Sequence, residues 1–166
     1  MEISNLVNNL VKKYKTNDPR ELCDYLGIKV MYEDLGSIHG FYQYAPKNKI
    51  IHLNIRLSET DMLFTCAHEL GHAILHSNLN ILFLESKTTQ VKGKYEMQAD
   101  QFAAELLIDK SIILNYEGLS INTIAKCENI DIKFLRHKFL YKWIIKSSSI
   151  KPSGYTKSYI LMVSVK

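Results

Sequence analysis

The stretch His68-Glu69-Leu70-Gly71-His72 decides what fold this 166-residue chain is expected to have. On a helix, residues four apart lie on one face about one turn apart, so the imidazoles of His68 and His72 can close on one ion. Glu69 is turned roughly 100° further round the helix, where it can reach a water beside the ion rather than the ion itself. The spacing therefore predicts a metal-dependent hydrolytic centre, with zinc as the expected ion.

The residues around this motif predict a helix from about residue 58 to residue 76. Ser58 is a typical N-cap, and acidic residues follow it in the first turn. An apolar stripe runs along one side of the helix: Met62, Leu63, Cys66, Ala67, Leu70, Ala73 and Ile74. The opposite side carries histidine and glutamate without lysine or arginine. A solvated surface or a satisfied buried histidine explains this polar face less well than a metal site does.

A catalytic zinc usually has three protein ligands, so a third ligand is needed. A histidine six residues after His72 would be the metzincin solution, but that position is Asn78. His76 lies eight residues beyond His68, about 12 Å along the helix axis, which is too far for both to bind one ion. We interpret His76 as a helix-terminal residue next to the ligands.

A second helix, predicted over residues 94–108, offers better candidates for completing the site. Glu96 and Asp100 stand one turn apart on it. Glu96 would complete a site of two histidines and one glutamate, and Asp100 would accept the free ring N–H of a ligating histidine. The alternative is that both are solvated acids near a helix start, where the helix dipole favours them.

The two motifs together, HELGHAILH and then EMQADQFAAELL about twenty residues later, resemble the ImmA/IrrE family of metallo-endopeptidases, which are zincins of the gluzincin type. The resemblance covers roughly residues 17 to 145. It implies that His68, His72 and Glu96 bind zinc, that Glu69 is the general base, and that Asp100 supports a ligand. It also implies a protein substrate, an Xre-type helix-turn-helix repressor. The protease itself would then be an anti-repressor of a phage or mobile element, or a stress-response protease that responds to DNA damage.

Composition agrees with a compact intracellular enzyme. The hydrophobic fraction is 46%, and no apolar run approaches the 18 or so residues of a membrane helix. The start of the chain lacks the basic and apolar regions of a signal peptide. The three cysteines, Cys23, Cys66 and Cys127, are odd in number and form no CxxC pair. We therefore expect reduced thiols, a cytoplasmic location and no membrane partner.

The predicted fold class is α+β, with a zincin-like core of helices and a small three-stranded sheet, followed by a helical, helix-turn-helix-like segment. The expected domains are a metallopeptidase domain at 1–117, a basic helical segment at 118–146 and a tail at 147–166. The elements before the metal helix are predicted as helices at 3–15 and 18–27 and strands at 28–33, 39–45 and 49–54. Residues 77–93 are predicted as a loop whose apolar residues 81–84 pack or line the cleft, and residues 155–165 as an added strand.

Positive charge is concentrated at the C-terminal end. Residues 1–117 carry 12 basic and 15 acidic side chains, whereas residues 118–166 carry nine and two. A helix-turn-helix there could touch DNA phosphates through Lys133, Arg136, Lys138 and Lys142. The segment lacks a base-reading Asn or Gln and the usual turn glycine, so packing or docking to an acidic partner is favoured over specific DNA binding.

The sequence therefore predicts a zinc endopeptidase in which Glu69 takes a proton from the attacking water. Tyr42, His39 and Tyr95 are unranked candidates for stabilising the transition state, and the strand at residues 50–53 is expected to pair with the substrate. Two other classes stay open: a catalytically silent DNA-binding regulator, and a partner-sensing adaptor with a zincin fold.

Overall fold

The computed structural model describes residues 2–45, 48–77 and 89–147, and the chain divides into two compact units at Leu107 and Ile108. The first unit contains α1 (Ile3–Tyr14), α2 (Pro19–Tyr25), β1 (Lys29–Glu33), β2 (Gly40–Ala45), β3 (Asn48–Asn54), α3 (Glu59–Leu75) and α4 (Thr89–Leu107). The second contains α5 (Ile112–Asn115), α6 (Ile121–Cys127) and α7 (Ile132–Ser147). The predicted α+β class is confirmed.

The three strands form a mixed sheet in the order β1-β3-β2. The central strand, β3, runs parallel to β1 and antiparallel to β2. Both of its edges are already paired, so the expectation that residues 50–53 would pair with a substrate is wrong. Sequence alternation marks a strand but does not reveal its place in the sheet, because that depends on long-range pairing.

Among the described strands, β2 is the one beside α3 with an edge that pairs with no other strand. The Asn54 N–H donates to the His39 carbonyl, which means that His39 faces β3. Because backbone groups alternate along an antiparallel strand, the N–H and C=O of Gly40, Tyr42 and Tyr44 point away from β3. Gly40 also packs tightly, since a Cβ there would lie 2.8 Å from Thr65 Cγ2 of α3.

The ends of α2 and α3 have the caps that their sequences predict. Asp18 accepts from the Arg20 backbone N–H with Pro19 in the first turn, and Ser58 accepts from the Asp61 N–H. The Arg20 guanidinium also reaches Glu59 Oε1 at 2.6 Å, which ties α2 to the start of α3.

A close crossing of α3 and α4 brings the two halves of the candidate site together. At Gly71 an added Cβ would lie 3.1 Å from Phe102 Cβ and 3.2 Å from Ala99 Cα, so the absence of a side chain permits this approach. The helix α4 begins at Thr89, five residues before the predicted start. A run of polar residues and Gly93 gives that first part no apolar periodicity. The apolar residues 81–84 lie outside the described residues.

The second unit contains a helix, a turn and a second helix, as predicted. Ser120 caps α6, and Ile124, Ala125, Phe134 and Leu135 are buried. Asn129 adopts a left-handed conformation, φ 52°, in the turn, so asparagine takes the place of the expected glycine. Lys138, expected to touch phosphate, is 5% exposed and therefore poorly placed for that contact. The predicted strand at 155–165 lies outside the described residues.

None of the described helices is long and apolar enough to cross a bilayer.

Candidate metal centre

Three side chains from α3 and α4 converge on one point. The Nε2 atoms of His68 and His72 are 3.1 Å apart, and Glu96 Oε2 lies 3.3 Å from the first and 3.8 Å from the second. A tetrahedral zinc ion with bonds of about 2.0–2.1 Å needs ligand atoms about 3.3 Å apart. The spacing therefore fits one small cation, and His68, His72 and Glu96 could hold it.

Asp100 fixes the orientation of one of the two histidines. The distance from His68 Nδ1 to Asp100 Oδ1 is 2.8 Å, and the carboxylate oxygen accepts the ring N–H. A proton on Nδ1 leaves the lone pair of Nε2 directed at the convergence point. The Nδ1 atom of His72 is buried without a hydrogen-bond partner among the described residues, so His72 is oriented by packing.

The charges of these groups are strongly coupled. Burial lowers the pKa of His68, but hydrogen bonds to Asp100 and Glu96 more than reverse this effect and raise its pKa to about 9. Hydrogen bonds from His68 and His72 hold the pKa of the Glu96 carboxyl far below its usual range. Positive charge is therefore favoured at this point, and a cation can replace the proton.

Glu69 lies beside this cluster and is also close to the sheet. Its side chain is buried, and burial raises its pKa, although the neighbouring His68 and His72 act in the opposite direction. A hydrogen bond from the Tyr42 backbone also favours the carboxylate. Tyr42 lies on β2, so the outer edge of this strand and the candidate base meet at this residue.

Comparison with known proteins gives the family. The IrrE N-terminal-like domain, a family of peptidases, matches residues 23–139, which is most of the chain. The chain belongs to this family. Membership implies a metal ion, and the cluster of His68, His72 and Glu96 could hold it.

Two relatives of this family member come from a Bacillus phage and from Bacillus subtilis. "Uncharacterized immunity region protein 2" of Bacillus phage phi105 is 42% identical over 113 residues, which cover 68% of this chain and 72% of the phage protein. "Metallopeptidase ImmA" of Bacillus subtilis (strain 168) is 34% identical over 134 residues, 77% of this chain and 78% of the relative.

A more distant structural likeness concerns the fold alone. A structure described as a Mycobacterium tuberculosis transcriptional regulator aligns over 82% of this chain with a TM-score of 0.52 and 16% identity. This chain spans 45% of the length of that protein.

The three candidates for stabilising the transition state, Tyr42, Tyr95 and His39, have different surroundings. The Tyr42 hydroxyl donates to the Ser77 carbonyl at 3.1 Å, so it is already engaged in a structural hydrogen bond. The ring of Tyr95 packs on His76, with centroids 4.6 Å apart, and His39 is exposed. The contact between the Tyr42 backbone and Glu69 had no signal in the sequence, because any residue type carries a backbone N–H.

Proposed function

We propose that this chain is a zinc-dependent endopeptidase. The observation that carries the proposal is the convergence of His68 Nε2, His72 Nε2 and Glu96 Oε2, within 4.8 Å of one another. Two imidazoles and one carboxylate form a ligand set that zinc uses in peptidases. Zinc bound there would act as a Lewis acid on a scissile carbonyl and make a neighbouring water more acidic.

In this proposal Glu69 moves the proton. Its carboxylate takes the proton from the water that attacks the carbonyl carbon, and then gives that proton to the leaving amine as the C–N bond breaks. A pKa raised by burial suits this role, because it brings the basicity of the carboxylate closer to neutral pH. The hydrogen bond from the Tyr42 backbone keeps the carboxylate beside the outer edge of β2.

The substrate backbone would bind along β2. The N–H and C=O groups of Gly40 point outward next to Tyr42, where Glu69 is held. An extended peptide added to this edge would have its scissile bond beside Glu69 and would gain main-chain hydrogen bonds whatever its sequence.

The proposed substrate is an Xre-type helix-turn-helix repressor, with the reaction taking place in the cytoplasm. Two findings favour this substrate: a phage relative is named for an immunity region, and another relative is named Metallopeptidase ImmA. Cys23, Cys66 and Cys127 are all free thiols, which agrees with a reducing compartment.

A trapping experiment tests this function. The Glu69→Gln variant keeps the shape of the side chain and removes its basicity, so it should bind substrate without releasing it as fragments. Affinity capture from host cells, followed by mass spectrometry, should recover the intact repressor. Glu21→Gln, on the exposed side of α2, is the matched control and should recover only what the wild type recovers. If the Glu69→Gln protein holds zinc but captures no repressor, the proposed substrate is wrong.

A further inference from the structure

The position of Glu96 depends on the placement of the first half of α4. Glu96 is the most exposed of the three candidate ligands, at 38% against 13% for His68 and 3% for His72. The segment between Leu75 of α3 and Thr89 of α4 is long, so a short connection does not fix the start of α4. The crossing at Gly71 holds α4 near Ala99 and Phe102, beyond Glu96 along the chain.

A ring contact holds α4 on the other side of Glu96. His76, the C-cap of α3, is buried, and its ring lies 4.6 Å from that of Tyr95 at an angle of 60°. Tyr95 is the residue immediately before Glu96. Glu96 therefore lies between two fixed contacts, the ring pair on one side and the helix crossing on the other.

The backbone around His76 is held in place, because two side chains from the sheet donate hydrogen bonds to the end of α3 and to the residue after its cap. Lys49 Nζ donates to the Ala73 carbonyl at 3.0 Å, and the Tyr42 hydroxyl donates to the Ser77 carbonyl at 3.1 Å. The first bond satisfies a carbonyl that the helix end leaves without an intrahelical partner, and the second holds the residue that follows the His76 cap.

We propose that His76 is a positioning residue that acts through Tyr95 to hold the Glu96 carboxylate at the metal centre. The inference rests on the proposed function. The rings of His76 and Tyr95 pack on each other, and the Tyr95 backbone also accepts a hydrogen bond from the His76 ring. A phenyl ring keeps the ring packing and loses only the hydrogen bond, whereas a methyl group loses both.

The test is zinc affinity, measured by competition with a chelator, together with the thermal midpoint of the zinc-free protein. His76→Ala should weaken zinc binding about tenfold, at the lower end of what the loss of a ligand-supporting contact causes, while His76→Phe, which keeps the ring packing, should lose clearly less. Phe64→Ala, a buried ring near the start of α3, is the matched control. It should lower the midpoint at least as much as His76→Ala without a comparable loss of zinc affinity.

The route through Glu96 is tested by a double variant. In a Glu96→Ala background, His76→Ala should cause no further loss of zinc affinity, because the group that it positions is gone. A further tenfold loss there would show that His76 acts on His72 and would overturn the proposal. Equal losses in His76→Phe and His76→Ala, or in Phe64→Ala, would also overturn it. If the wild type binds no zinc, the proposed function falls and this inference falls with it.

Discussion

At the scale of single residues, the candidate centre has one histidine oriented by a carboxylate and one oriented by packing. His68 donates to Asp100, whereas Nδ1 of His72 has no partner among the described residues. The carboxylate both selects the tautomer that leaves Nε2 free for an ion and increases the basicity of the ring. Metal binding by His68 should therefore depend on a neighbouring carboxylate, whereas metal binding by His72 should depend on the packing around its ring.

Replacement of Asp100 tests this difference. Asp100→Ala removes the acceptor and should weaken zinc binding about 10- to 100-fold, and Asp100→Asn, which keeps an acceptor oxygen but not the charge, should fall between it and wild type. Chelator competition measures both. Equal affinity in all three proteins would mean that Asp100 does not orient His68.

Replacement of a ligand should weaken zinc binding more than replacement of Asp100 does. His68→Ala, His72→Ala and Glu96→Ala should each abolish tight zinc binding, since each removes one of three converging atoms. His76→Ala should weaken binding without abolishing it. The zinc content of the purified proteins, expected at about one per wild-type chain, gives the measurement. A Glu96→Ala protein with wild-type affinity would remove Glu96 from the ligand set.

The raised pKa of His68 predicts an unusual pH dependence. Zinc competes with a proton for His68, so affinity should keep rising with pH until the pKa of about 9, rather than level off near the ordinary histidine value of about 6.5. In the zinc-free protein the free energy of unfolding has the opposite pH dependence and falls as the pH rises. The stability that protonated His68 contributes is fully present below about pH 6.5 and is lost as the pH rises through about 9.

Titration of zinc affinity in chelator-buffered solutions from about pH 6 to about pH 10 measures this effect. Unfolding of zinc-free wild type and His68→Ala over the same range gives the stability part. A plateau in wild-type affinity by pH 7 would contradict the environment described for His68.

At the scale of elements, the site depends on how closely α3 and α4 approach. Gly71→Ala adds a Cβ 3.1 Å from Phe102 Cβ and 3.2 Å from Ala99 Cα, so the helices must shift, at a cost of about 1–3 kcal/mol in the free energy of unfolding. Gly93→Ala, also within a helix, meets nothing within 4 Å and should stabilise by about 0.5–1 kcal/mol. Chemical denaturation of both variants checks the opposite signs.

The sequence predicts these elements better than their arrangement. The helical spacing in HELGH and the Ser58 cap are local, and they predicted α3 to within about one residue at each end. The order β1-β3-β2 arises from a parallel pairing between strands distant in the chain, which no local pattern encodes, and the substrate strand was therefore misassigned. The role of Asn129 was missed for a different reason, because asparagine adopts a left-handed conformation far less often than glycine.

At the scale of the whole chain, the excess of positive charge raises the question of nucleic acid binding. On α7 the exposed Lys133 and Arg136 follow the acidic, exposed Glu128 and Asp131, and Lys138 is buried. The described start of this helix is thus not strongly basic, which favours packing over DNA binding.

A binding assay on the full chain with duplex DNA tests whether the C-terminal segment binds nucleic acid. If the C-terminal segment acts through phosphate contacts, affinity should fall steeply as salt rises above about 50 mM. Lys133→Glu together with Arg136→Glu should then reduce binding. No binding at about 50 mM salt would leave packing or partner docking as the role of the segment.

The central claim, that Glu69 moves protons while His68, His72 and Glu96 hold the ion, is tested most directly by co-expression with an Xre-type repressor that the Glu69→Gln protein captures. The intact mass of the repressor is followed over time with wild type and with Glu69→Gln, and the zinc content of both proteins is measured. We expect Glu69→Gln to retain zinc and lose cleavage by a factor of at least about 10² to 10⁴. Equal cleavage by both proteins would contradict the mechanism, and no cleavage by either would favour a partner-sensing adaptor.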